Sequence, residues 1–186
     1  MHIRPTLTRD IPRLAEVERS AAQAFAQLPA LAWLAQGDVL DSAAHQGFVD
    51  AGASWLAEGD AGQILGFVCA RREQQALHIH EISVRREAQG RGIGRLLLNQ
   101  LVDAAQAAGV RELTLTTFID VPWNAPFYAR YGFEAINEGQ LCTRLCDILA
   151  NERAQGCVGR CAMRLPCSPL IGDHGSTPAA VLFATQ

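Results

Sequence analysis

The sequence lacks a long apolar run. Its short apolar stretches, such as residues 63–68 and 96–98, lie between polar residues and fall well below the roughly 18 residues that cross a membrane. It also lacks an excess of basic side chains, since 16 Lys and Arg oppose 19 Asp and Glu. The formal charge of −3 argues against nucleic acid as a partner. Because residues 1–10 contain no signal-peptide core, we expect a soluble cytoplasmic protein.

Apolar residues make up 49% of the 186 residues and charged residues 19%, which is enough apolar material for the core of one domain. Without a secretion signal, the six cysteines are expected to be reduced thiols that pack as small hydrophobic residues. Five of them fall in the last quarter, at Cys142, Cys146, Cys157, Cys161 and Cys167. The four-residue spacings differ from the Cys-x-x-Cys of zinc sites, so no metal is expected.

Hydrophobic periodicity predicts an alternation of strands and helices along the chain. The expected strands cover residues 2–4, 55–58, 63–71, 77–84, 113–118, 133–138 and 160–165. The first expected helix begins near residue 11 and is capped by Thr8 or Asp10. The other expected helices cover residues 42–53, 92–109, 127–131 and 141–154. We assign residues 1–166 to one domain and residues 167–186 to a C-terminal tail.

A glycine-rich loop follows the strand that ends at Val84 and opens the next helix. Its glycines stand at alternate positions, Gly90, Gly92 and Gly94. Free backbone N–H groups at a helix N-terminus bind anions, and small residues let the backbone approach a phosphate closely. Arg91 and Arg95 would add positive charge. The spacing differs from the dinucleotide fingerprint, and no Gly-Lys-Ser/Thr follows as in a P-loop, although a plain flexible turn remains an alternative.

Two blocks of sequence resemble those of the GNAT superfamily of acyl-CoA-dependent N-acetyltransferases. Gln89-Gly-Arg-Gly-Ile-Gly94 is similar to its Gln/Arg-x-x-Gly-x-Gly/Ala motif, and the segment from Asn124 to Phe133 is similar to its second block. The resemblance implies an α/β fold with a central mixed, mostly antiparallel sheet flanked by helices. It also implies acetyl-CoA as the acyl donor and no metal.

The same resemblance implies which residues bind coenzyme A. The pyrophosphate is expected on the loop residues Gln89, Gly90, Arg91, Gly92, Ile93, Gly94 and Arg95. The pantetheine arm is expected to pair with the backbone of Ile82, Ser83 and Val84, where a bulge would aim an N–H at the thioester carbonyl. Asn124 is expected either to cap the following helix or to bond the cofactor, and Phe127 is expected to contact it.

The resemblance further implies a direct attack of the amine on the thioester. Tyr128 is the expected general acid for the departing thiolate, with a packed aromatic side chain as the alternative. For the amine proton, the strand offers His78, His80 and Glu81. The His-x-His pair is similar to that of the serotonin (arylalkylamine) N-acetyltransferases. Strict alternation would put both histidines on one face and Glu81 on the other unless a bulge intervenes.

These features predict an N-acetyltransferase that acts on a primary amine of a small molecule. Two alternatives stay open, an acetyltransferase for a protein N-terminus or lysine and a catalytically silent acyl-CoA-binding module. A homodimer is also compatible with the sequence, which does not identify the acceptor.

Overall fold

Strands and helices alternate along the chain in a computed structural model that describes residues 1–167. The strands are β1 His2–Pro5, β2 Ser54–Glu58, β3 Ile64–Glu73, β4 Ala76–Val84, β5 Glu112–Phe118, β6 Glu134–Ala135 and β7 Arg160–Pro166. The α-helices are α1 Ile11–Ala22, α2 Ser42–Asp50, α3 Ile93–Ala107, α4 Ala125–Tyr131 and α5 Thr143–Ala154. The strands follow the order β1-β2-β3-β4-β5-β7-β6 in a mixed sheet.

The described residues form two compact units, and the first contains residues 1–71 and 79–104. Here β1 pairs antiparallel with β2, and β2 pairs antiparallel with β3. Apolar side chains of α1 and α2 pack against those of the strands. The buried cluster comprises Leu14, Val17, Phe48, Leu56, Ile64, Phe67 and Cys69. The two helices therefore cover the same layer of this core.

An ion-pair network fixes the first strand to the start of α1. The Arg4 guanidinium donates to both carboxylate oxygens of Asp10, at 2.6 and 3.0 Å, and to those of Glu58, at 2.9 and 3.0 Å. Asp10 also accepts from the Leu7 N–H, and no side-chain cap from Thr8 or Asp10 precedes α1. Asp10 precedes α1 as expected, but its carboxylate binds Arg4 and the Leu7 N–H instead of an N–H group of the helix.

The second unit contains residues 72–78 and the described residues from 105 onward. The first three residues of β4 pair in parallel with β5, so that His78 lies opposite Thr114. β5 pairs antiparallel with β7, and β7 with β6. Helix α5 is tied to β5 and β7 through Glu152, which accepts from Thr116 at 2.6 Å and from Arg160 at 2.7 Å.

The C-terminal third departs from two sequence-based expectations. The strand expected over 133–138 is reduced to the two residues of β6, and a 3-10 helix follows at Glu138–Gln140. Cys142, which directly precedes α5, and Cys146 within the helix are exposed, so their expected burial is wrong; Leu145 is the buried residue of this helix. The predicted division at residue 166 stays a prediction, because residues 168–186 lie outside the described part. No helix within residues 1–167 is both long and apolar enough to cross a membrane.

Candidate active site

The glycine loop adopts a backbone conformation that only glycine takes up without strain. Gly90 and Gly92 have φ values of +74° and +82°, in the left-handed region. A Cβ atom added at either position would meet no atom within 4 Å. The loop is therefore open, and glycine is required there by conformation rather than by crowding.

The loop is anchored at both ends within the first unit. At its start the Gln89 side chain donates to the Val84 carbonyl at 3.0 Å. At its end Ile93 is 1% exposed and packs in the core, so its backbone N–H, rather than its side chain, is available to a ligand. Arg91 and Arg95 are exposed. The first backbone hydrogen bond of α3 runs from the Leu96 N–H to the Gly92 carbonyl, which leaves the preceding N–H groups of the helix without intrahelical acceptors.

These properties fit a diphosphate group. The N-terminus of a helix carries a partial positive charge, and free N–H groups there bind phosphate oxygens. Helix α3 has 15 residues, so its dipole is well developed. The loop thus combines open space, free donors and exposed arginines, and the residues present suit the pyrophosphate expected from the sequence.

The strand before the loop is held close to β3 at Ser83. A Cβ atom at Gly66 would lie 2.7 Å from the Ser83 carbonyl oxygen and 3.1 Å from Val84 Cγ2, so the two strands approach more closely than a side chain would permit. Ser83 is buried and its hydroxyl donates to Glu81 Oε1 at 2.7 Å. Ile82 is half-buried. The segment expected to pair with pantetheine therefore lies directly against β3 at Gly66.

His80 and Glu81 are successive residues of β4 with different contacts. The His80 ring lies 5.1 Å from the ring of Phe48 in α2. The charge of Glu81 contributes to the raised pKa of Glu18 in α1, and the Glu81 backbone bonds the Cys69 thiol. The bulge expected in β4 stays a prediction.

Glu18 is a feature of this region that the sequence analysis missed. Its two carboxylate oxygens lie 3.3 and 3.2 Å from the Leu40 N–H, which donates to them. Burial and the nearby charge of Glu81 raise the pKa of Glu18 to about 7. In the sequence Glu18 resembles its neighbour Glu16, which is 65% exposed. The two glutamates differ only once the chain is folded, because Glu18 is then buried and binds the Leu40 N–H whereas Glu16 stays exposed.

His45 of α2 is a second residue that the sequence analysis missed. It is 1% exposed, its ring packs edge-on against Phe67 at 5.3 Å, and burial lowers its pKa. Neither of its ring nitrogens has a hydrogen-bond partner within residues 1–167. It interacts electrostatically with His80. The only sequence signal was its position three residues before Phe48 on an apolar helix face.

Tyr128, the expected general acid, lies in the second unit on α4. It is 7% exposed, and its ring packs edge-on against Phe127 at 5.2 Å and Phe133 at 5.5 Å. Gly132, with φ +122°, ends the helix and lets Phe133 return to these rings. The aromatic packing that was the alternative expectation for Tyr128 is present. This packing orients the ring, but it does not show what the hydroxyl does.

Asn124 precedes α4 but forms no side-chain cap. Its Oδ1 accepts from the Thr117 hydroxyl at 2.9 Å, and its Nδ2 is buried without a partner in the part of the chain that the structure describes. A buried amide nitrogen without an acceptor is costly, so this atom is suited to donate to a bound ligand. The expected side-chain cap is therefore absent, and the contact of Asn124 with the cofactor stays a prediction.

The two histidines of the His-x-His pair have different surroundings. His78, in the second unit, is buried, and its Nδ1 lies 3.0 Å from Thr114 Oγ1. His80, in the first unit, is exposed beside Phe48. The first unit thus brings together the glycine loop, the strand before it, His80 and Glu81, and the second contains His78, Asn124, Phe127 and Tyr128. Within residues 1–167 no group of three or more His, Cys, Asp or Glu side chains is arranged to hold a metal ion.

Comparison with known proteins gives sequence and fold relatives. An uncharacterised N-acetyltransferase of Methanocaldococcus jannaschii, MJ1207, is 32% identical over 80 residues, which cover 39% of this chain and 35% of that protein. The aligned part thus spans about a third of that relative. Solved structures with the same fold include a GNAT-family acetyltransferase of Staphylococcus aureus, with a TM-score of 0.69 and 16% identity over 90% of this chain and 99% of that one.

A second structure is Rv2747 of Mycobacterium tuberculosis in complex with CoA and a further ligand. It has a TM-score of 0.67 and 17% identity, and the match covers 89% of this chain and 99% of that chain. These likenesses confirm the predicted fold. Residues 17–133, more than half of the chain, match the acetyltransferase (GNAT) family. The matched residues include the glycine loop, β4, β5 and α4. The chain therefore belongs to the acetyltransferase (GNAT) family.

Proposed function

We propose that the protein transfers an acetyl group from acetyl-CoA to a primary amine of a small molecule. The observation that carries the proposal is the open glycine loop at the start of α3, with positive φ at Gly90 and Gly92, in a chain that belongs to an acetyltransferase family. A helix N-terminus of this form suits the pyrophosphate of coenzyme A.

The binding roles follow from the positions of the chain's own groups. The N–H groups from Gly90 to Arg95 hold the pyrophosphate, and the exposed guanidinium of Arg91 adds charge. The backbone of residues 82–84 pairs with the pantetheine arm, and the tight approach of Gly66 to Ser83 keeps that strand in place. The buried Nδ2 of Asn124 donates to a polar atom of the donor, next to the ring of Phe127.

The chemical step needs positioning and two proton transfers. The amine nitrogen attacks the thioester carbonyl directly, and an N–H of β4 near Glu81 stabilises the developing oxyanion. The Tyr128 hydroxyl protonates the departing thiolate, and the packing of the ring against Phe127 and Phe133 fixes its orientation. The amine gives up its proton to β4 side chains, for which Glu81, His80 and His78 are the candidates.

An amine panel tests the proposal. Acetyl-CoA is incubated with the protein and arylalkylamines, polyamines, amino acids or peptides, and acetylated products are detected by mass spectrometry. Thiol reagents are unsuitable, because the exposed Cys142 and Cys146 would react with them. Acetylation of a small amine is expected. Product only from peptides would instead identify a protein acetyltransferase, and CoA binding without any product would identify a silent binding module.

A further inference from the structure

We propose that Thr114 of β5, together with Arg144 of α5, holds the buried His78 of β4 as the neutral tautomer whose proton lies on Nε2. Thr114 and Arg144 are then positioning residues, and both lie outside the two motif blocks. The proposal rests on the proposed function, in which His78 is one of three candidates for the amine proton. It changes the role of His78 from a proton acceptor to a fixed hydrogen-bond donor.

The three side chains meet within the second unit. The Nδ1 atom of His78 lies 3.0 Å from Thr114 Oγ1, and Arg144 Nη2 donates to the same oxygen at 3.5 Å. The register of the parallel strands explains the first contact, because His78 and Thr114 are opposite each other in the β4–β5 pair. His78 is 7% exposed and Thr114 is 2% exposed. The buried hydroxyl therefore has an imidazole and a guanidinium as its neighbours.

The single hydrogen of this hydroxyl determines the tautomer of the imidazole. A guanidinium has donors only, so Thr114 Oγ1 accepts from Arg144 and must donate its own hydrogen to another group. Within residues 1–167, His78 Nδ1 is the one acceptor at hydrogen-bond distance from the hydroxyl. A buried hydroxyl without an acceptor is costly. Thr114 therefore donates to Nδ1, and the proton of the neutral ring lies on Nε2.

The other protonation forms of the ring leave one hydrogen without a partner. If Nδ1 carried a proton, it would donate to Thr114 Oγ1, and the hydroxyl hydrogen would then have no acceptor among the residues that the structure describes. Arg144 cannot supply one, because it has no lone pair to offer. The guanidinium is kept at this place by Glu73 of β3, whose Oε2 lies 3.9 Å from Arg144 Nε. The network thus favours one of the two neutral tautomers.

This tautomer cannot act as a base without breaking the network. A base needs a free lone pair for the proton that it takes. In His78 the lone pair of Nδ1 accepts from Thr114, and Nε2 carries a hydrogen and can only donate. We therefore infer that His78 orients a polar group through its Nε2–H and takes no proton in the reaction. The amine proton then passes to one of the other two candidates on the strand.

Imidazole 15N–1H correlation spectra of histidine-labelled protein test the tautomer without any turnover. At about pH 8, above the ordinary histidine pKa of about 6.5, His78 is expected to show a protonated Nε2 and an unprotonated Nδ1. Its signals are identified by their loss in His78→Gln. A wild-type ring with a proton on Nδ1, alone or together with Nε2, would overturn the proposal.

Two variants of Thr114 test the cause of the tautomer. Thr114→Val removes the hydroxyl at nearly constant volume and is expected to show a second, Nδ1-protonated form. Thr114→Ser keeps the hydroxyl and should retain the wild-type pattern, as should Thr143→Val, which removes an exposed hydroxyl next to Arg144. Unchanged signals of the other histidines show that a variant is folded. A Thr114→Val spectrum identical to that of the wild type would overturn the role of Thr114, and the wild-type spectrum tests the tautomer even if this variant does not fold.

Removal of the guanidinium tests the second positioning residue. Arg144→Met frees the Thr114 oxygen from its donor, so the hydroxyl can turn and the Nδ1-protonated form is expected to appear. Arg153→Met, on the same helix, is the control and should leave the His78 signals unchanged. An Arg144→Met spectrum that matches the wild type would exclude Arg144 as a positioning residue.

The pH profile of turnover tests the consequence for the reaction. His78→Gln keeps an N–H donor, so kcat is expected to fall by less than about 10-fold and the midpoint of the profile to stay in place. Loss of a general base would cost about 100-fold or more. A loss of that size which is recovered as the pH rises would identify His78 as the base and overturn the inference. Failure of the proposed function is recognised separately, because the wild-type protein would then acetylate no amine, whereas the tautomer is observed without turnover.

Discussion

Replacement of Gly92 by alanine tests the role of the loop conformation. Gly92 has φ +82°, and a Cβ atom there would meet no atom within 4 Å, so the substitution introduces backbone strain without a clash. A non-glycine residue in the left-handed region costs about 1–2 kcal/mol. The free loop can relieve this strain by moving to negative φ, but the N–H groups then turn away from the anion.

To bind CoA, the loop of the variant must return to the left-handed conformation at residue 92, and this return costs about 1–2 kcal/mol of binding free energy. CoA affinity of Gly92→Ala is therefore expected to fall by about 5- to 30-fold, since 1.4 kcal/mol corresponds to a factor of ten. Isothermal titration calorimetry with CoA measures this loss. The matched control is Gly52→Ala, which lies after α2 with φ +65° and an equally open Cβ position.

The control separates strain from binding. Gly52→Ala should lower the free energy of unfolding in urea by about 1 kcal/mol and leave CoA affinity unchanged. If Gly92→Ala binds CoA as tightly as the wild type, the loop does not hold the pyrophosphate in the conformation described above.

Two further predictions concern the acid and the fold. Tyr128→Phe should lower kcat by about 100-fold or more with little change in CoA affinity, and unchanged turnover would exclude Tyr128 as the acid. Asp10→Asn should cost about 3 kcal/mol in urea unfolding at pH 7, because it removes a buried partner of Arg4, whereas Asp60→Asn, at a 95% exposed carboxylate, should cost almost nothing. Hydrogen bonds from Arg4 lower the pKa of Asp10, so its contribution is present above the unfolded-state pKa of about 3.9 and is lost as the pH falls through the folded-state value. A wild-type protein whose stability did not fall in acid relative to Asp10→Asn would contradict this account.

Local sequence signals predicted the parts of the site that lie on continuous segments. The loop was recognisable because glycines at alternate positions stand between a strand and a helix and match the family motif. The strand before it was recognisable because its apolar residues lead into this motif. Tyr128 was recognisable only through the second block, since its packing against Phe127 and Phe133 is what any short aromatic helix would show.

The sequence could not reveal interactions that depend on distant residues. Glu18 and Glu81 are 63 positions apart in the printed sequence, and only folding buries Glu18 and so distinguishes it from Glu16. The exposure of Cys142 and Cys146 was missed for a related reason. A four-residue spacing places them on one helix face, but the spacing does not tell whether that face meets the core or the solvent.

The most direct test of the central claim follows the label from 13C-acetyl-CoA. The wild-type protein is mixed with the labelled donor and the best amine of the panel, and both the amine and the intact protein are weighed by mass spectrometry. Direct transfer predicts one labelled acetyl group on the amine nitrogen for each CoA released and no label on the protein. CoA release without a labelled amine, or a labelled protein that passes its acetyl group to the amine, would contradict the account.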